Sequence, residues 1–214
     1  MGDKIIETDS KGIPTKSNLP ESPPLPVFYA LFILVQMAIF GSMAYFFIVR
    51  NNEKGDAKVA ILAEYDLGYV YIGAFVLKIL QHAMGINLGV ARKAAKIHVP
   101  DQQVYQVKGA EGSKLGYVLL EGEGVLGRFN RAQRALQNYN EAAPITVLFF
   151  ALGGFVYPQA SLVLISLFSV LRFVSALGYT SSADGRFGGF LASGATLFML
   201  DGLVIMSGIR SILL

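Results

Sequence analysis

RFNRAQRALQNYNEAAPITVLFFALGGFVYPQASLVLISLFSVLRFVSALGY, residues 128–179, decides the fold. Two apolar runs, 135–156 and 161–179, stand on either side of Tyr157-Pro158-Gln159. Each is near the ~20 residues that cross ~30 Å of hydrocarbon at about 1.5 Å per residue. Three further runs of this kind lie outside the pair. Residues 27–49 carry no charge, residues 67–90 carry Lys78, His82 and Asn87, and residues 190–212 close the chain. Lipid offers no water to backbone N–H and C=O groups, so these runs are expected as helices. The proline turn makes 135–156 and 161–179 an antiparallel hairpin.

Composition agrees with lipid as the solvent. The chain of 214 residues is 53% hydrophobic and 15% charged, with a mean hydropathy of +0.50; soluble domains carry about 25% charged residues. Cysteine is absent, which excludes disulfides, thiolate metal sites and a cysteine nucleophile. Any thiol chemistry must therefore use a substrate thiol. Two histidines without cysteine argue against a structural metal. The net charge of +3 gives no reason to expect nucleic acid as a partner.

Residues 1–26, rich in Pro, Ser and Lys, are expected to be a flexible polar arm. The segment 27–50 follows as one span, and 67–214 holds the other four, with a long loop at 93–130. Lys and Arg are biased to one side of this arrangement. The arm, the 92–134 stretch and the short 180–187 loop hold twelve, against four at the opposite ends. The positive-inside rule puts the N-terminus and the basic face in the cytoplasm. Within the long loop, 104–120 alternates around a Gly-rich centre, which fits either a small hairpin or an irregular cap.

The basic face gathers the candidate chemistry. Arg92, Lys93 and Lys96 end one span, Arg131 and Arg134 begin the next, Tyr179 ends the fourth and Arg186 precedes the fifth. Arg172 and Glu141 each lie one heptad inside such an end, ~10 Å deep, so depth alone predicts that they pair. With the Asn138 amide, this set suits a small anionic or zwitterionic molecule whose carboxylates arginines clamp and whose ammonium Glu141 accepts. The alternative is that basic residues at helix ends snorkel to lipid headgroups. Deeper in the spans, Lys78 and Asp201 sit ~21–22 Å from the basic face and are expected to form an ion pair, within or between subunits. His82, one turn from Lys78, reads as a hydrogen-bonded core residue.

RFNRAQRALQNYNEAAP resembles the signature of the membrane-associated proteins in eicosanoid and glutathione metabolism, the MAPEG or microsomal glutathione transferase superfamily. Arg134, Asn138, Glu141 and Pro144 fit its Arg-Asn-Glu-Pro spacing. GVARKAAKIHVP resembles the basic exit of the family's first helix, and LRFVSALGY followed by Arg186 its Arg, Gly-Tyr and distal Arg run. FFALGGFVYP looks most like the microsomal glutathione transferase 3 branch. The likeness covers 67–214.

What the resemblance implies is an all-α membrane protein: a four-helix bundle plus one additional N-terminal transmembrane helix, assembled as a homotrimer. It implies glutathione as co-substrate, held by Arg92, Arg134, Asn138, Glu141, Arg172 and Tyr179, with Arg186 as the catalytic residue that stabilises the thiolate. A free thiol near pKa ~8.5 is mostly protonated at neutral pH, and a fixed cation lowers that value. The thiolate would attack a hydrophobic electrophile or lipid hydroperoxide arriving through membrane lipid, in the endoplasmic reticulum or another organelle. Two positions depart from the family: Leu136 stands where His or Gln is frequent, and Ser175 where some relatives have Tyr or His. Two alternatives stay open. One is a non-catalytic lipid-presenting member, although the lipoxygenase-activating type lacks an arginine at the position of Arg134. The other is a structural subunit of a larger membrane complex.

Overall fold

The computed structural model describes residues 7–10, 13–106 and 119–214. It is a helical bundle in which five helices are long and apolar enough to cross a membrane. The first, α1 (Leu25–Ala44), continues through a π-helical turn at Tyr45–Val49. A shorter α2 (Glu53–Glu64) precedes α3 (Gly68–Ala95). Two strands, β1 (Tyr105–Gln106) and β2 (Leu119–Leu120), lead to α4 (Gly124–Val156), α5 (Pro158–Ser181) and α6 (Phe187–Leu213), with a 3-10 turn at Asp184–Arg186 before α6.

Local chemistry sets the ends of these helices. Asn52 caps α2 by accepting from the Gly55 N–H at 2.9 Å, and Glu53 and Asp56 oppose the positive helix end. Arg92 and Lys93 occupy the last turn of α3, where a cation is favoured, and Lys96 ends it in the left-handed conformation, φ 58°. Pro158 opens α5, where its missing N–H costs nothing. Inside the bundle the hydroxyls of Thr146, Ser169 and Thr180 bond carbonyls four residues back, at 2.7–2.9 Å. Tyr139 donates to the Leu77 carbonyl at 3.2 Å, and Asn87 to Thr180 Oγ1 at 2.9 Å.

α4 and α5 stand between α3 and α6, and the core fills the space the four enclose. Leu80 and Met84 of α3, Phe150 of α4, Ile165 and Phe168 of α5 and Leu200 of α6 are its buried centre. Leu136 packs against that core, so its apolar side chain has a structural use. α1 buries only Leu25; it crosses α3 where Gly89 leaves room for the Tyr29 ring, and its remaining surface is exposed apolar side chain suited to lipid. Arg210 reaches the Tyr157 hydroxyl at 3.4 Å across the end opposite the basic face.

Several sequence expectations change in detail. The region between the expected spans 27–50 and 67–90 contains α2. α4 begins eleven residues before the expected 135, so the long loop is bounded by Ala95 and Gly124. The strands pair Tyr105 with Leu120 and Gln106 with Leu119, closing the base of the suggested hairpin; its centre, 107–118, lies outside the described residues. Asn130 ties that base to α4, donating to the carbonyls of Val104 and Glu121 at 2.7 and 2.8 Å. Part of the arm is tied down too: His98 Nε2 lies 2.9 Å from the Lys16 carbonyl, Lys93 donates to the Pro20 carbonyl, and Ile13 packs beside Phe129. Lys78 and Asp201 do not pair within the chain. Lys78 donates to Gln81 Oε1 at 3.0 Å, and α4 and α5 separate the helices that carry the two charges. His82 is half-buried and has no hydrogen bond among the described residues.

Among the glycines, the closest approach of a side chain is at Gly73, where an added Cβ would lie 2.3 Å from Cζ of the buried Phe150. Gly73→Ala is expected to cost about 1–3 kcal/mol by overpacking, read as a lower unfolding temperature of the protein in detergent. An unchanged temperature would mean that α3 and α4 are not packed this closely.

Candidate functional site

At the basic face α4, α5 and the 184–186 turn converge on a recess. Asn138 of α4, Arg172, Ser175 and Tyr179 of α5, and Arg186 line it, with Met84 and Phe190 as apolar walls. Asn138, Arg172, Arg186 and Phe190 are shared with a larger cavity of about 690 Å³ between α4 and α6. Glu141 lines that larger cavity, and its other walls are mostly apolar: Phe168, Phe187, Leu191 and Leu197. This volume falls within the roughly 300–1,000 Å³ of small-ligand clefts.

Backbone contact holds the recess in shape. Gly178 and Gly185 face each other so closely that a Cβ on Gly178 would lie 2.2 Å from the Gly185 carbonyl oxygen. The Ser175 hydroxyl donates to the Arg186 carbonyl at 3.0 Å, and Gly189 lies against the Ser175 backbone. Arg131 clamps the end of α5, donating to the Tyr179 carbonyl at 3.0 Å and to the Gly122 carbonyl at 2.7 Å. These contacts put the Arg186 guanidinium over the Tyr179 ring, 5.1 Å from its centre.

The cations of the recess have no ion-pair partner among the described residues. Arg172 stacks over Phe190 at 5.4 Å, and neither it nor Arg186 has a side-chain hydrogen bond or ion pair among the described residues. Nine residues from the end of α5, Arg172 lies about 13 Å along the helix. An uncompensated arginine at the centre of a membrane-spanning helix costs about 2.5–3.5 kcal/mol on insertion scales. The side-chain amide of Asn138 and the Tyr179 hydroxyl likewise have no partner among the described residues.

The expected Arg172–Glu141 pair is not formed. Glu141 Oε1 instead takes Arg134 at 3.2 Å. The two are seven residues apart on α4 and share a helix face, whereas Arg172 belongs to another helix whose rotation depth does not specify. Arg134 therefore stands at the margin and reaches the cavity through Glu141. Arg92 is not brought to the recess: it is buried over the Phe129 ring at 4.9 Å and donates to the carbonyls of His98 and Asp101, ordering the chain that leaves α3. Sequence reasoning missed the framing roles of Arg131, Ser175, Gly178 and Gly185. The small residues Gly178 and Gly185, with Ser175 one turn before Gly178, were the available signal. Among the described residues no cluster of three or more His, Asp or Glu is placed to hold a metal.

A branched side chain at Gly178 would force the end of α5 away from the 184–186 turn. Gly178→Val is expected to accelerate tryptic cleavage after Arg186 in the detergent-solubilised protein. Parent-like cleavage would show that the glycine contact does not hold the turn.

No curated protein matches the chain. The family model described as MAPEG family matches residues 70–206, more than half of the sequence, and takes in α3 to α6 up to the last turns of α6. That family includes glutathione transferases as well as non-catalytic members. With its five apolar helices and this match, the chain is an integral multi-pass membrane protein that belongs to the MAPEG family.

Proposed function

We propose that the protein is a membrane-bound glutathione transferase with peroxidase activity, most similar in kind to the microsomal glutathione transferase 3 branch. The observation that carries this is the pair of guanidinium groups, Arg172 and Arg186, left without anions around one polar recess beside an apolar cavity. Glutathione supplies what the recess lacks: two carboxylates, an ammonium and a thiol. Arg172 takes a carboxylate, Asn138 and Tyr179 hydrogen-bond the peptide, and Glu141 accepts the ammonium through its Oε2 while Arg134 holds Oε1. Arg186 stabilises the thiolate. Arg92 acts indirectly, through the backbone it orders.

The chemistry follows from that arrangement. The thiol proton leaves to solvent, and the thiolate forms a C–S bond with a hydrophobic electrophile as its leaving group departs. With a lipid hydroperoxide, two glutathione molecules give the disulfide, the lipid alcohol and water. The phenylalanine and leucine walls of the larger cavity suit an acyl chain entering from the bilayer. The positive-inside bias supports a cytosolic site in the endoplasmic reticulum or another organelle membrane, and the family resemblance supports a homotrimer.

Arg172→Ala is expected to weaken glutathione binding roughly 10–100-fold, the value of a charge-assisted hydrogen bond of about 1.5–3 kcal/mol. Arg186→Ala should bind nearly as the parent but conjugate an aryl halide slowly, with its pH profile moved upward towards the free thiol, because removing the cation raises the thiol pKa. Calorimetry and conjugation rates across pH check both. Absence of binding heat from the parent at millimolar glutathione would favour the non-catalytic lipid-presenting reading, and a parent-like Arg186→Ala profile would remove the thiolate role.

A further inference from the structure

The site leaves α2 (Glu53–Glu64) without a use. None of its residues is buried, and all but Gly55 and Leu62 are exposed. Yet it is joined at both ends to spans, α1 before it and α3 after it. Those spans meet near the basic face, where Leu25 and Tyr29 lie against Gly89. Twenty-one residues separate Tyr29 from Arg50, and twenty-one separate Gly89 from Gly68. Both spans therefore reach the opposite edge at about the same level, roughly 31 Å away. α2 is about 18 Å long, and the turns at its ends are tight. The Asn52 N–H bonds the Val49 carbonyl at 3.1 Å, and the Leu67 N–H bonds the Leu62 carbonyl at 2.8 Å, with Asp66 left-handed between them, φ 57°. Such turns cannot bring back a helix that stands along the bundle axis, so α2 runs across it, along the membrane edge. Lying there it holds the far ends of α1 and α3 apart, and every residue of α1 after Gln36 is exposed.

We infer that α2 is an interfacial helix whose partner is the phospholipid surface on the side opposite the recess. Helical periodicity divides it into sectors. Gly55, Val59, Leu62 and Ala63 share one face, and Glu53, Ala57, Ala60 and Glu64 the opposite one. Lys54, Lys58 and Ile61 stand on one flank between these faces, and Asp56 on the other. With the apolar face turned to the acyl boundary, the two glutamates face water. The two lysines, four residues apart, then lie at the level of the lipid phosphates and reach them from the side. Tyr65 and Tyr69, both exposed, follow at the same edge, and tyrosine is enriched where membrane meets water. Connectivity commits the partner to lipid, because a helix held flat between two spans by tight turns stays at the bilayer they cross. The inference rests on the spans and is independent of the glutathione reading.

The cysteine-free sequence makes the test direct. Full-length Val59→Cys, Ala63→Cys, Ala57→Cys and Ala60→Cys proteins are each labelled with a nitroxide and placed in phosphatidylcholine nanodiscs. Oxygen concentrates in hydrocarbon, whereas a nickel chelate stays in water. Collisions with oxygen are expected to exceed those with the chelate at 59 and 63, and to fall below them at 57 and 60. Labels at 59 and 63 as open to the chelate as those at 57 and 60 would place α2 in water and overturn the inference. Shielding of 59 and 63 from both reagents would overturn it in favour of a protein contact. Should a nitroxide lower the yield of folded protein, alkylation of the bare cysteines by a charged maleimide makes the same comparison. Slow reaction at 59 and 63 beside fast reaction at 57 and 60 is then expected, and equal rates refute the inference.

Discussion

In hydrocarbon no water is at hand to complete a hydrogen bond or solvate a charge, and that constraint organises this molecule. The backbone meets it by becoming helix across five spans. Small polar side chains meet it locally: Thr146, Ser169 and Thr180 close back onto their own helices, and Tyr139 reaches across to the Leu77 carbonyl. Arg131 meets it at the membrane edge by collecting carbonyls from α5 and the chain before α4. Arg172, Arg186, Asn138 and Tyr179 gather at one recess, and Lys78 and Asp201 stand lower in the bundle. Arg172 and Arg186, which have no anion among the described residues, are the groups through which the chain has reason to meet a ligand.

The number of membrane-spanning helices and their approximate spans were legible because length and apolarity are one-dimensional properties. Position along each helix was legible for the same reason, since each residue advances a helix by about 1.5 Å. Azimuth was not. Arg172 and Glu141 were expected at equal depth, yet Glu141 belongs to the same stripe of α4 as Arg134 and pairs with it. Arg92 met a similar fate: being at the right end of α3 did not determine which way it faced, and the carbonyls of His98 and Asp101 together with Phe129 claimed it. The helix at Glu53–Glu64 escaped notice because it is short and polar, with an Asn cap as its main signal.

Of the residues that the family motif singled out, Asn138, Arg172, Tyr179 and Arg186 line one recess. It carried no information about how they are held. That depends on contacts between backbones, in which the relevant property of Gly178, Gly185 and Gly189 is the atom they lack. Ser175 illustrates the difference. Read against relatives it is a replacement for Tyr or His; in the structure its hydroxyl donates to the Arg186 carbonyl.

This framing separates two kinds of arginine. Arg134 is about half exposed and its pair with Glu141 is a single contact at 3.2 Å; exposed pairs of this kind contribute about 0–1 kcal/mol. A ligand group entering beside Glu141 therefore displaces little. Arg172 and Arg186, by contrast, stack on the aromatic rings of Phe190 and Tyr179, which orient a guanidinium plane without neutralising it. Their charge stays available in a place where charge is expensive, and an anion that binds there recovers the cost of having kept them unpaired.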